Sequence, residues 1–195
     1  MSALTKTKKY TPEEYLALEE AAEFRSEYES GEIVAMSGGS FYHVQIISNA
    51  ARSLGNQLGD KCSVLPTDMK IWVEKRRKFY YPDITILCAR PEFYRNRTDT
   101  ITNPQILIEV LSKSTEAKDR TEKFWSYQLL ESLHEYILIS QDKAAVEQFV
   151  RQADGGWRYL AAIGQESVLR LTTVKAELDL TEVYRKIDFE REENL

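Results

Sequence analysis

Two carboxylates stand where carboxylates are costly. Asp83 opens the run Asp83-Ile84-Thr85-Ile86-Leu87, directly after Tyr81-Pro82, and Glu109 lies inside Ile106-Leu107-Ile108-Glu109-Val110-Leu111. Short, nearly continuous apolar runs read as buried strands, and a charge left unpaired in such a place is expensive. A salt bridge, a hydrogen-bond network or a metal ion would each meet that cost. As a metal pair, two carboxylates from neighbouring strand ends suit a hard cation such as Mg2+ or Mn2+, which takes one or two of them and completes its shell with water and a substrate phosphate. A lysine beside the pair then orients the attacking water or stabilises charge developing at phosphorus. Lys123, one helix beyond Glu109, is the candidate; Lys113 is a second, placed at a turn. Two roles stand for Ser112: a hydrogen-bond donor to Glu109, or a cap for the strand end. For Asp83 the competing role is a turn cap or a partner for a nearby Lys or Arg.

The flanking sequence predicts the elements that would carry these groups. Thr11-Pro12-Glu13-Glu14 has a capping threonine, a proline suited to the first helical position and acids at the positive end of the dipole, so a helix to about Glu20 is expected. Arg25 to Met36 reads as strand, tight turn at Gly31, strand. Apolar residues at Val44, Ile46, Ile47, Ala50, Leu54 and Leu58 recur at helical spacing, with His43 in the first turn. Cys62–Val73 and Phe79–Cys88 are each expected as one strand, joined by a hairpin tip at Lys75-Arg76-Arg77-Lys78. Gln105–Leu111 reads as a central strand, and a helix is expected from about Glu116 to Ser132. Glu135–Ile139, Ala144–Arg151, Trp157–Ala162 and Val168–Leu171 follow as strands. Leu178–Ile187 is a last amphipathic segment, and the tail after Phe189 is expected to fray. No repeat, linker or compositional shift marks a boundary, so residues 1–195 are expected as a single domain. The fold class is α/β (α+β): a mixed central sheet flanked by helices, with extra antiparallel strands towards the C-terminus.

Composition narrows the function classes. With 43% hydrophobic residues in 195, the chain can bury a core, which argues against disorder. A net charge of −5 means that any nucleic-acid surface must be a local patch. The candidates are Lys75, Arg76, Arg77 and Lys78, extended by Lys70 and Arg95–Arg97; a solvated hairpin tip competes with that reading. Trp72, Tyr80 and Tyr81 are expected in the core or on the sheet, and Phe124, Trp125 and Tyr127 mostly as packing. Neither Cys62 nor Cys88 sits in a metal-ligand pattern, and both are expected as buried, reduced thiols. The N-terminus has no apolar signal region and no run is long enough to span a membrane, so a soluble, cytoplasmic protein is expected.

The motifs taken together resemble a known family. Pro82-Asp83 followed by Glu109-Val110-Leu111 resembles the PD-(D/E)xK nuclease signature, except that Leu111 stands where the strict pattern has lysine. The wider arrangement is similar to the Uma2 (DUF820) family of restriction-endonuclease-like proteins. It runs through Thr11-Pro12-Glu13-Glu14-Tyr15-Leu16, Glu27-Tyr28-Glu29-Ser30-Gly31-Glu32, His43, Pro82-Asp83, Ile108–Thr115, Asp119, Lys123, Tyr127 and Glu135-Tyr136. Lys113 stands where the family commonly has proline. The resemblance implies a restriction-endonuclease-like core and a metal-dependent endonuclease acting on DNA, with RNA left open. It implies Asp83 and Glu109 as ligands of Mg2+ or Mn2+, and Lys123 in the lysine role moved onto the helix. It brings Glu27 and His43 near the site as accessory residues. A homodimer is expected of a nuclease that cuts both strands. Two alternatives remain open: a non-catalytic domain of the same fold that binds nucleic acid or protein, and an enzyme acting on another phosphoester.

Overall fold

The structure of the protein is a computed structural model that describes residues 8–36 and 38–189. The expected tail after Phe189 lies outside the described residues. Helix α1 (Pro12–Ala21) begins as its sequence dictates: Thr11 Oγ1 accepts from the Glu14 amide at 3.1 Å, and the Glu14 carboxylate accepts from the Thr11 amide at 2.7 Å. Strands β1 (Ser26–Glu29) and β2 (Glu32–Ala35) form a hairpin whose turn residues, Ser30 and Gly31, have φ of 51° and 104°. A two-residue turn with both φ positive matches the natural strand twist and explains the glycine. Helix α2 (Phe41–Leu58) is capped by Ser40 and buries Ile46, Ile47, Ala50, Leu54 and Leu58.

Each of the two long strands expected between residues 62 and 88 is two strands in different sheets. β3 (Ser63–Pro66) ends where Thr67 and Asp68 turn left-handed at φ 48° and 54°, and β4 (Lys70–Val73) begins in the other sheet. After a short helical turn at Glu74–Arg76, β5 (Lys78–Tyr80) lies beside β4. Pro82 has no amide hydrogen to continue a ladder, so the chain crosses back and resumes as β6 (Ile84–Leu87). The two crossings touch, with the Thr67 amide donating to the Asp83 carbonyl at 2.8 Å. β7 (Thr100–Ile101) closes a five-stranded sheet ordered β2-β1-β5-β4-β7.

The second sheet uses β8 (Ile106–Leu111), β9 (Glu135–Ser140), β10 (Ala145–Arg151) and β11 (Trp157–Ile163), in the order β11-β10-β9-β8-β6-β3. It is mixed: β8 and β9 run parallel, and its other pairs are antiparallel. β12 (Val168–Arg170) and β13 (Glu177–Asp179) make a small ribbon before α5 (Leu180–Val183). Along β8 the side chains alternate. Ile106, Ile108 and Val110 pack with α2, whereas Leu107 and Leu111 join Tyr127 and Tyr136 in a second core. Glu109 belongs to that second face.

The single helix expected over 116–132 is interrupted and shorter. α3 (Glu116–Lys118) passes into a π-helical segment, Asp119–Lys123, then α4 (Phe124–Tyr127), where the helix stops. Trp72, Tyr80 and Tyr81 are buried as expected, but Trp125 is 59% exposed and does not pack as expected. The expectation of two reduced, buried thiols is overturned. Cys62 and Cys88 form a disulfide with Cα atoms 4.0 Å apart, and Cys88 is exposed. The β3–β6 register, Ser63 opposite Leu87, brings the two cysteines face to face one step further on, although 26 positions separate them in sequence. Among the described residues no helix is long and apolar enough to cross a membrane.

Candidate functional site

Asp83 and Glu109 open onto one cavity of about 560 Å3, which Glu27, His43, Asp119 and Lys123 also line. Asp83 sits at the crossing between the sheets, and its carboxylate is held at both oxygens. Oδ2 accepts from the Val110 amide at 2.7 Å, and Oδ1 lies 3.2 Å from His43 Nε2. Asp83 is therefore fastened to the backbone immediately beside Glu109. His43 comes from the first turn of α2. Gly39 permits its approach, because a Cβ at that position would lie 2.8 Å from the imidazole Cδ2. His43 Nδ1 is buried with no hydrogen-bond partner among the described residues. Burial lowers the His43 pKa, but the hydrogen bond and charge of Asp83, with Asp119 behind it, outweigh burial and leave it above its ordinary value.

Glu109 is 2% exposed and accepts from Lys123 Nζ and Tyr127 OH, each at 3.1 Å. Lys123 Nζ also lies 3.3 Å from Glu27 Oε1 and 3.2 Å from Asp119 Oδ1. Asp119, Lys123 and Tyr127 follow one another at intervals of four along the interrupted helix, and all three are buried. That spacing is the sequence signal for Asp119, which the candidate set above leaves out. The cluster holds more carboxylates than cations, and both ends of the pair feel it. Burial raises the Glu109 pKa well above the usual carboxylate range; Lys123 opposes this, while Asp119, Asp83 and Glu27 add to it. Burial works against the Lys123 ammonium, but Glu109, Glu27 and Asp119 overcome it and hold the proton on more firmly than usual.

Glu27 reaches the site from β1. Its second oxygen accepts from Lys118 Nζ at 2.7 Å, and Lys118 also pairs with Glu29. Glu29 in turn pairs with Lys78 at 3.2 Å, and Lys78 with Glu122. Charges thus alternate from Lys123 outward through Glu27, Lys118, Glu29 and Lys78 to Glu122. The ammonium groups of Lys78, Lys118 and Lys123 lie 5.6, 5.7 and 5.9 Å from the centroid of the Tyr80 ring, whose face favours cations. No motif in the sequence singled out Lys118.

Other candidates fall elsewhere. Ser112 lines the cavity, and its hydroxyl pairs with those of Ser114 and Thr115 at 3.1 and 3.0 Å. Lys78 leaves the basic patch: it is 7% exposed and committed to Glu29 and Glu122. Lys70 is buried against Asp99 at 2.6 Å, Arg95 pairs with Glu13, and Arg97 grips Asp99. Lys75, Arg76 and Arg77 remain exposed on their turn and do not line the cavity.

Among the described residues, no group of three or more His, Cys, Asp and Glu side chains is disposed to hold a metal ion. Asp83 and Glu109 could hold an ion as two carboxylates, with water and substrate oxygens completing its shell. That donor set is one that Mg2+ accepts, and the excess of carboxylates favours an added cation.

Comparison with known proteins bears on fold and family. A crystal structure described as that of "a putative nuclease belonging to DUF820 from Anabaena variabilis ATCC 29413" superposes with a TM-score of 0.72 at 17% identity, over 90% of this chain and 97% of that one. The mixed α/β fold expected from the sequence is thus shared with that protein. Two Synechocystis sp. (strain ATCC 27184 / PCC 6803 / Kazusa) proteins are similar along nearly their whole length. "Uncharacterized protein sll1609" is 32% identical over 90% of this chain and 99% of its own. "Uncharacterized protein slr1290" is 33% identical over 93% and 94%. The model of the Uma2 family, described as "Putative restriction endonuclease", matches residues 12–182, and the chain belongs to that family.

Proposed function

We propose that the protein is an endonuclease that hydrolyses phosphodiester bonds of DNA with Mg2+ or Mn2+ held by Asp83 and Glu109. The observation that carries this reading is the tie between Asp83 Oδ2 and the Val110 amide, which brings a carboxylate from the sheet crossing alongside the one on β8. A divalent ion bound there supplies Lewis acidity to the phosphodiester. The chain's own residues do the rest. The Val110 N–H and His43 fix the direction of the Asp83 carboxylate, so the pair needs little reorganisation. Lys123 and Tyr127 hold Glu109 in place and favour its ionised form against burial. Glu27 and Asp119 keep the Lys123 ammonium in position, and Glu27 makes the bridge to Lys118.

A second reading, a non-catalytic binding domain of the same fold, is favoured by the closure of Glu109, Lys123 and Tyr127 on one another. Supercoiled plasmid incubated with and without Mn2+ separates the two. Nicked or linear product that needs the metal, and that disappears in D83N and in E109Q, supports the nuclease. If the parent protein gives no product at any Mn2+ concentration, the non-catalytic reading takes its place.

A further inference from the structure

We infer that Lys118, and not Lys123, is the lysine that meets the substrate phosphate; the inference rests on the nuclease reading above. The two lysines differ in what surrounds them. Lys123 is 6% exposed, and its ammonium is enclosed by oxygens of Glu27, Glu109 and Asp119 at 3.1–3.3 Å. Turning it towards a ligand would leave those carboxylates buried without their counter-ion, the costly outcome for a buried pair. Lys123 is therefore a positioning residue, the cation that opposes the effect of burial on Glu109.

Lys118 lines the same cavity, and its side chain is 26% exposed. Glu27 and Glu29 engage its ammonium. An ammonium has three hydrogens, so two carboxylates leave one donor for an oxygen on the cavity side. Its partners lie on β1, while its own backbone lies at the end of α3, just before the π segment. The lysine is thus held ready, and a phosphate that meets it does not bear the cost of ordering a long side chain. Lys113 also borders the cavity, but it is exposed at the turn after β8. The network accounts for Glu27 as well: one of its oxygens faces the positioning lysine and the other faces the substrate lysine.

The test compares the parent with K118M, K118R and K123M. Each is assayed for Mn2+-dependent cleavage of a duplex oligonucleotide, for Tm, and for binding of the same labelled duplex without metal across a range of salt. The expected result for K118M is a KM raised about tenfold or more, the loss of one charge-assisted hydrogen bond, with kcat within about threefold and a fall in Tm smaller than that of K123M, because Glu27 keeps Lys123 as a partner. Its slope of log affinity on log salt should be shallower by about 0.9, the release accompanying one phosphate contact. K118R should restore both. Unchanged KM and salt slope in K118M overturn the inference while leaving the nuclease reading intact. A K118M protein that loses Tm as K123M does, with its salt slope unchanged, also overturns it, because Lys118 is then structural. If the parent binds but never cuts, the nuclease reading fails, and a shallower K118M slope still upholds the phosphate contact.

Discussion

Replacing Lys123 by methionine isolates the central electrostatic claim, because methionine keeps most of the aliphatic volume and deletes the charge. Three carboxylate oxygens at 3.1–3.3 Å lose their shared cation inside a region where Glu109, Asp119 and Lys123 are 2%, 2% and 6% exposed. Removing one partner of a buried ion pair costs about 3–5 kcal/mol. Glu109, already pushed towards its protonated form by burial, can take up a proton in compensation, which places K123M near the lower end, about 3 kcal/mol. In a chain of this size each kcal/mol moves Tm by about 2–4 °C, so Tm should fall by roughly 6–12 °C. Urea unfolding of the parent, K123M, E109Q and the double variant gives the coupling directly. E109Q removes one of the stranded carboxylates, so the double variant should be more stable than the sum of the two single losses predicts, by about 1–3 kcal/mol. A K123M protein within about 1 kcal/mol of the parent, or strict additivity in the cycle, would refute the reasoning.

Metal should stabilise the folded state by mass action. At a Mg2+ or Mn2+ concentration 100 times the dissociation constant the gain is about 2.7 kcal/mol, and a thermal melt of D83N/E109Q should show no such shift. Cutting the Cys62–Cys88 bond frees a loop of 26 positions, worth about 3–4 kcal/mol by loop entropy. Reductant, or C62S/C88S, should therefore lower Tm by roughly 6–16 °C, and an oxidised protein that titrates with two free thiols contradicts the bond. The two-point grip of Arg97, with Lys70, holds the Asp99 carboxyl well below the usual range. A carboxylate depressed in the folded state contributes stability above its unfolded pKa, about 3.9, and loses that contribution as pH falls towards the folded value. The gap in Tm between the parent and D99N should therefore shrink as pH is lowered from about 5 to about 2; a gap that stays constant shows that Asp99 is not the group responsible.

What the sequence determined alone is local or periodic. Thr11-Pro12-Glu13-Glu14 specifies a helix start because the capping groups lie within one turn of each other. The 3.6-residue spacing from Val44 to Leu58 marks α2, and the alternation along Ile106–Leu111 puts Glu109 on the face opposite Ile108 and Val110. A lone glutamate in such a strand demands a partner, and that demand was legible before any partner was known.

The partners themselves were decided by tertiary structure, because each comes from a different element. Glu27 arrives on β1, His43 on α2, Asp83 at the crossing between sheets, Lys118 at the end of α3 and Lys123 at the end of the π segment. Pro82 was visible in the sequence. That it divides one apparent strand between two sheets depends on which ladders are available to either side of it. In sequence Lys78 ends a basic run and Lys118 stands between Glu116 and Asp119. Only the packing of β5 against β1 commits one to Glu29 and Glu122, while the other is left with a face towards the cavity. The cysteine pair has the same origin: a strand register, and not any spacing of residues, sets Cys62 against Cys88. The sequence placed charges where they were costly, and the fold determined which charges meet.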